Sequence, residues 1–327
     1  MIDDFSHIIL IASIHFANHQ PIVSFVKRMA AETELVRKIK SDRQALARCI
    51  SIVENESEGW EEILQSLPAS SVPVIGITGP PGAGKSTLIN NLIQHYSSSG
   101  KKVAVLAVDP TSPFTRGSLL GDRLHMAMHF NNENVFIRSV ATRGSLGGLT
   151  DKALEITDAM KSAGFDLVLV ETVGVGQSET EIASLADATV LVLVPESGDE
   201  IQTLKSGVME IADIYVVNKS DHEDAEKFSS SLAWMVQHKK NAGWLPPVVS
   251  CIATQDKGTV ELAEKINLFL SSSQNTKKVA LLTEKAFRII AKERMKDVTR
   301  TAISEMLREK MKEKDFNLYR FVKEVSK

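Results

Sequence analysis

The stretch Val74-Ile75-Gly76-Ile77-Thr78-Gly79-Pro80-Pro81-Gly82-Ala83-Gly84-Lys85-Ser86-Thr87-Leu88, VIGITGPPGAGKSTL, joins a β-branched apolar run to a glycine-rich loop and then to a helical pattern. Gly79 to Ser86 matches G-x-x-x-x-G-K-[ST] in full, and Leu88, Leu92 and Ile93 recur at helical spacing behind it. Strand, loop and helix in that order are the context the motif needs. The glycines let backbone N–H groups converge on phosphate oxygens, and the helix N-terminus adds its positive end. Lys85 supplies a point charge to the β- and γ-phosphates, and the Ser86 hydroxyl reaches Mg²⁺. Gly79, Pro80, Pro81, Gly82, Ala83, Gly84, Lys85, Ser86 and Thr87 are thus the expected nucleotide-binding loop.

Outward from this loop, short apolar runs alternate with amphipathic stretches: Val103 to Val108, Val135 to Ile137, Leu167 to Val170, Val190 to Val194, Ile214 to Val217 and Val248-Val249. Strands apolar on both faces and separated by helical patterns predict a mainly parallel, doubly wound α/β sheet covered on both sides. Such sheets place ligands at the carboxyl ends of their strands. Residues 1–70 read as a helical extension, with Asp42 a cap for a helix carrying Leu46, Ile50 and Val53. The polar joint Ser271-Ser272-Ser273-Gln274-Asn275 closes an α/β domain of residues 71–273 and opens a helical extension of residues 274–327. There Val298, Ala302, Ile303, Met306 and Leu307 share one broad face, and residues 283–327 carry 13 Lys and Arg against 8 Asp and Glu. Two readings of that tail stand side by side: a solvated face packed on its own core, and an arm for dimerisation or docking.

The 327 residues, 43% apolar and 24% charged with a formal net charge of -3, describe an ordinary globular chain. Neither a basic surplus nor interleaved basic and aromatic runs point to nucleic acid. Two cysteines, Cys49 and Cys251, fit a reducing compartment. His125 and His129 stand at i, i+4 without a third ligand, and the expectation for them is a helix surface. The apolar stretch Ile8 to Ile14 is too short to span a bilayer and lacks the flanks of a signal peptide, so the expected location is cytoplasmic, with no membrane partner.

The base is addressed after Val217 by Asn218-Lys219-Ser220-Asp221. In GTP-binding proteins N-K-x-D reads guanine: the Asp carboxylate accepts from the ring N1–H and the exocyclic amine, and Asn and the Lys stem shape the pocket. Adenine offers no such pair of donors and would leave the carboxylate unsatisfied. A loop whose backbone N–H meets the guanine oxygen is expected at Ser250-Cys251-Ile252, with Cys251 where alanine is more usual. Candidate carboxylates for Mg²⁺, direct or through water, are Asp109, Asp122 and Glu171, and the alternative for one or two of them is helix capping. Glu171 opens ETVGVGQSE, residues 171–179, where many GTP hydrolases carry D-x-x-G-Q. Gly174 can offer its N–H to the γ-phosphate because no Cβ blocks the approach. Gln177 follows Val175 and Gly176 instead of standing directly after Gly174, outside the usual water-positioning slot.

GPPGAGKST, VDPTSPFTRGSLLGDRLHM, FIRSVATRGSLGGLT, ETVGVGQSE, the run Glu196 to Lys205, MEIADIYVVNKSD and the upstream DRQALARCISIVE together resemble the methylmalonyl-CoA mutase-associated GTPases, the MeaB/ArgK/MMAA family once labelled lysine/arginine/ornithine transport-system kinases. The similarity covers roughly residues 41–270. The resemblance implies a G domain of the class shared with signal-recognition-particle and nickel-insertion GTPases (the SIMIBI type), a homodimer formed through helical extensions, and slow intrinsic GTP hydrolysis to GDP. It also implies a partner, an adenosylcobalamin-dependent acyl-CoA mutase, whose cofactor loading the GTPase gates and which it protects from inactivation. By the same resemblance Lys85, Asp109 and Glu171 are catalytic, Ser86, Asp109, Asp122 and Glu171 serve Mg²⁺, and Gln202 and Lys205 couple nucleotide state to the partner. Pro195-Glu196-Ser197-Gly198 departs from the family's usual Pro-Gly-Ala-Gly, and residues 1–28, ahead of Met29, match nothing in the family and are expected to be dispensable. Metal insertion would need a Cys/His cluster that the sequence lacks, and an amino-acid transport kinase would need an acceptor site of which there is no signature.

Overall fold

A computed structural model describes residues 31–109, 126–141, 152–174, 181–195, 207–237, 244–272, 276–313 and 315–326. The chain divides into two compact units, Met1–Lys277 and Lys278–Lys327. The first is built on β1 (Val74–Thr78), β2 (Val103–Asp109), β3 (Val135–Ala141), β4 (Leu167–Glu171), β5 (Ala188–Leu193), β6 (Ile214–Val217) and β7 (Val248–Ser250). These pair in parallel throughout, in the order β3-β2-β4-β1-β5-β6-β7. Every residue of β1, β4, β5 and β6 is buried, as the unbroken apolar runs predict for strands covered on both faces.

On one face lie α3 (Lys85–Ser98) and α7 (Thr259–Ser272), whose Leu88, Leu92, Ile93, Leu262 and Ile266 pack against Ile75, Val105, Leu169 and Val190. Each such side chain removed from water contributes about 1.5–3 kcal/mol before entropy is charged. The other face is covered by α1 (Arg43–Glu54), α2 (Trp60–Ser66) and α4 (Ala153–Ser162), with Ile50, Val53, Ile63 and Ile156 sharing one core with Leu106, Val168 and Val170. Asp42 does cap α1, its side chain accepting from the Gln44 N–H at 2.7 Å. Residues 43–66 are thus part of the sheet's cover. Buried Lys152 fastens them: its ammonium lies 2.7 Å from Glu56, 3.4 Å from Glu155 and 3.6 Å from the centre of the Trp60 ring. Further along the sheet, α5 (Val208–Ile211) and α6 (Ala225–Gln237) enclose Leu191, Leu193, Tyr215 and Val217.

While His125 lies outside the described residues, His129 corrects its half of the helix-surface expectation. It lies in a 3₁₀ turn, Ala127–His129, and is 2% exposed, not on a helix surface. Burial lowers its pKa, partly offset by a hydrogen bond to the Asn90 backbone. The i, i+4 spacing misleads because the apolar Met126, which is fully buried, draws this short turn into the core.

The second unit is helical, with α8 (Thr276–Arg294) from Lys278 onward, α9 (Arg300–Lys310) and α10 (Leu318–Val325). Thr299 caps α9 through the Ala302 N–H at 3.1 Å, and Asn317 caps α10 through the Arg320 N–H at 3.1 Å. Lys310 joins the two helices across 3.2 Å to Glu324, and Phe321 is the buried anchor of α10. No residue of α9 is fully buried. Among the described residues no helix is long and apolar enough to cross a membrane.

Candidate functional site

The central strand β1 delivers its carboxyl end into Gly79–Gly84, and the strands on either side, β4 and β5, bring their own ends alongside. Gly79 has φ 139°, and a Cβ there would stand 2.1 Å from the Val192 carbonyl oxygen. Gly84, at φ 88°, would clash with the Asn218 amide at 2.2 Å. These two glycines are therefore obligatory for packing as well as for backbone conformation. The Lys85 side chain is buried and reaches back over the loop, its Nζ donating to the Gly79 carbonyl at 2.8 Å and the Pro80 carbonyl at 3.0 Å. That places the ammonium across the mouth of the loop, where a phosphate oxygen is its natural partner.

Glu171 closes β4 and is 4% exposed, and the Ser86 hydroxyl donates to its Oε1 at 2.6 Å. Two hard oxygen groups this close, one on the phosphate helix and one on the neighbouring strand, are a donor set that fits Mg²⁺. Thr172 then bonds Thr78 at 3.0 Å, fixing the start of the Glu171 loop to the end of β1. Gly174, at φ 88°, comes so near that a Cβ would lie 2.5 Å from both Lys85 Nζ and the Gly79 carbonyl oxygen. Its backbone is thus held against the phosphate loop, as the absence of a side chain allows. The backbone of Asp109 ends β2. Asp122, Gln177, Gln202 and Lys205 lie outside the described residues, as do residues 1–28.

A cavity of about 520 Å³ opens beside the loop. Gly82, Gly84 and Thr87 line it on the phosphate side, and Asn218, Lys219 and Asp221 on the other. Asn218 spans the two, donating to the Ala83 carbonyl at 2.8 Å and accepting from the Ala253 N–H at 3.0 Å. Lys219 takes a left-handed φ of 54°, which turns the chain sharply between Asn218 and Asp221. Ser220 bonds inward, its hydroxyl to the carbonyls of Val217 at 2.7 Å and Cys251 at 2.9 Å.

The last wall is Ile252, Ala253 and Thr254. Of the expected Ser250-Cys251-Ile252, Ile252 lines the cavity, while Ser250 ends β7 and Cys251 is buried in the core beside Leu262. The Cys251 thiol has its pKa pushed up to about 12 by burial and by the Glu261 carboxylate, so it is a small apolar filler. Ala253 and Thr254 fall outside every motif of the sequence. A signal was present in the apolar Ile252-Ala253 pair, but the loop's length to Gly258 left its register open.

A parallel sheet with this phosphate loop and an N-K-x-D cavity beside it defines a P-loop GTPase. The chain belongs to the family described as methylmalonyl Co-A mutase-associated GTPase MeaB, whose model matches residues 46–314. A relative from Pyrococcus abyssi is 51% identical over 243 residues, covering 71% of this chain and 74% of its own. GTPase ArgK of Escherichia coli is 36% identical over 245 residues, covering 71% and 74%. Among solved structures, an LAO/AO transport system kinase superposes with a TM-score of 0.64 at 25% identity, covering 91% of this chain and 97% of that one.

Proposed function

We propose that the protein binds GTP and hydrolyses it to GDP and phosphate, and that it acts as a G-protein chaperone of an adenosylcobalamin-dependent acyl-CoA mutase, methylmalonyl-CoA mutase before others. The observation that carries the first part is the meeting of Lys85, Ser86, Glu171 and Gly174 at one loop, next to a cavity that Asn218, Lys219 and Asp221 line. The family description, which names a mutase, supports the second.

Ser86 and Glu171 would hold Mg²⁺, with Asp109 and Asp122 as further carboxylates, and the ion would neutralise charge gathering on the phosphates. The Glu stem is longer than that of Asp, which favours contact through water. In the hydrolysis, a water oxygen bonds the γ-phosphorus as the bond to the β–γ bridging oxygen breaks. The electron pair leaves with GDP, and the water's proton ends on phosphate. Lys85 and the loop N–H groups stabilise that charge, and Gly174 offers its N–H to the γ-phosphate. With Gln177 displaced from the water-positioning slot, turnover is slow alone and speeds up when the partner reorders residues around Gln202 and Lys205. Residues 274–327 serve a homodimer.

The partner is tested by co-purification with a cognate B12-dependent mutase in GTP analogue and in GDP. A complex that depends on the nucleotide is expected, and its absence in both states would remove the chaperone role. The base is tested by Asp221→Asn, which should weaken GTP binding and shift preference toward xanthosine nucleotides, since the amide donates where xanthine offers an oxygen. Unchanged GTP affinity would overturn the assignment of Asp221.

A further inference from the structure

Asn91 belongs to none of the nucleotide motifs. It sits on α3 and is half-buried, and its Nδ2 donates to the Ala253 carbonyl across 2.8 Å, from 162 residues away in the chain. The N–H of that same Ala253 is taken by Asn218, whose amide donates in turn to Ala83 of the phosphate loop. A closed ring results: Ala83, Asn218, Ala253, Asn91, and back through α3 to the loop that precedes it. The cavity's far wall is therefore positioned from the phosphate helix as well as from its own strand.

The ring also fixes a direction. In a trans peptide the carbonyl and the following N–H point opposite ways, so holding the Ala253 carbonyl toward α3 turns the Thr254 N–H away from it. Within this loop the N–H groups of Cys251, Ile252, Ala253, Gln255, Asp256 and Lys257 are bonded to Val217, Lys257, Asn218, Ile252, Ala253 and Ile252 respectively. Thr254, which lines the cavity, supplies the donor outside that set.

We infer that Asn91 is a positioning residue for base recognition, holding the Ala253–Thr254 peptide so that its N–H meets the carbonyl oxygen of guanine. The inference rests on the guanine reading above and names what sets its geometry. It implies that the protein distinguishes a purine bearing oxygen at C6 from one bearing an amino group there through a residue on the phosphate helix.

Asn91→Leu keeps the side chain's branched outline and removes the donor. The measurement is affinity for GDP and for 2,6-diaminopurine riboside diphosphate, which carries an amine in place of the oxygen. GDP affinity should fall about tenfold, the size of one net hydrogen bond, while the diaminopurine analogue changes less than about twofold. Asn91→Gln, whose longer amide still reaches, should recover part of the ratio. Equal losses for both nucleotides, or no loss for GDP, would overturn the inference. If the Leu variant fails to fold, Asn91→Ala gives the same ratio, since selectivity is read from one preparation. Asp221→Asn, run alongside, separates the two failures. A normal shift toward xanthosine nucleotides with an unchanged Asn91 ratio sinks Asn91 alone, whereas no shift sinks the guanine reading.

Discussion

The two compact units manage their apolar side chains in opposite ways. In the first, β1, β4, β5 and β6 are buried along their whole length, and α3 hides Leu88, Ile89, Leu92 and Ile93 completely. In the second, Phe287 is 68% exposed and Ile290 51%, Met295 is exposed too, and α9 buries nothing fully. One unit completes its own core and can hold a site rigidly. The other keeps a few anchors, chiefly Phe321, and leaves apolar surface uncovered, the surface that the homodimer proposed above would use.

The strongest way to break this contrast is Lys85→Ala. GTP turnover should fall on the order of 10²-fold or more, while the oligomeric state stays that of the parent; a changed mass by light scattering would show the units to be less separate in function than in packing. Next is a pair. Ile93→Ala should cost about 3 kcal/mol of stability in urea unfolding, because a closed interior relaxes little around a void. Phe287→Ser should stay within about 0.5 kcal/mol in the same assay yet, if the proposed homodimer forms through this unit, weaken it in sedimentation or light scattering. Equal costs for the two variants would erase the contrast.

The smallest expected effect is on His129. Burial holds its folded pKa below that of the unfolded chain, so the unfolded state takes up the proton first as pH falls. The neutral imidazole's full contribution is present above about pH 6.5 and is lost as pH drops through the folded pKa. His129→Gln should flatten the dependence of melting temperature on pH between about 7 and 5. An unchanged slope would assign that dependence to other groups.

Much of the fold could be read in advance because its signals are local. A β-branched run such as Leu167 to Val170 is a strand by composition, and the glycines at 79 and 84 announce a turn that no other residue permits. The phosphate loop and Asn218 to Asp221 follow from short motifs for the same reason. The far wall at Ala253-Thr254 and the amide of Asn91 were not legible, because each is defined by a partner distant in the chain and by one carbonyl's direction. The burial of His129 was hidden likewise, since it depends on Met126 finding the core. Residues 43–66, expected as an extension, share the sheet's own core, which helical periodicity alone does not reveal.

The ring through Ala83, Asn218, Ala253 and Asn91 joins segments 135 and 162 residues apart, and the Ser86–Glu171 bond joins segments 85 apart. Contacts of such sequence separation form late, after the loop-closure entropy of the sheet has been met. The phosphate loop is local, but the cavity beside it exists only once these distant segments have met. A bound guanine nucleotide is therefore a ligand of the finished fold alone, and it withdraws population from every unfolded form in proportion to its occupancy.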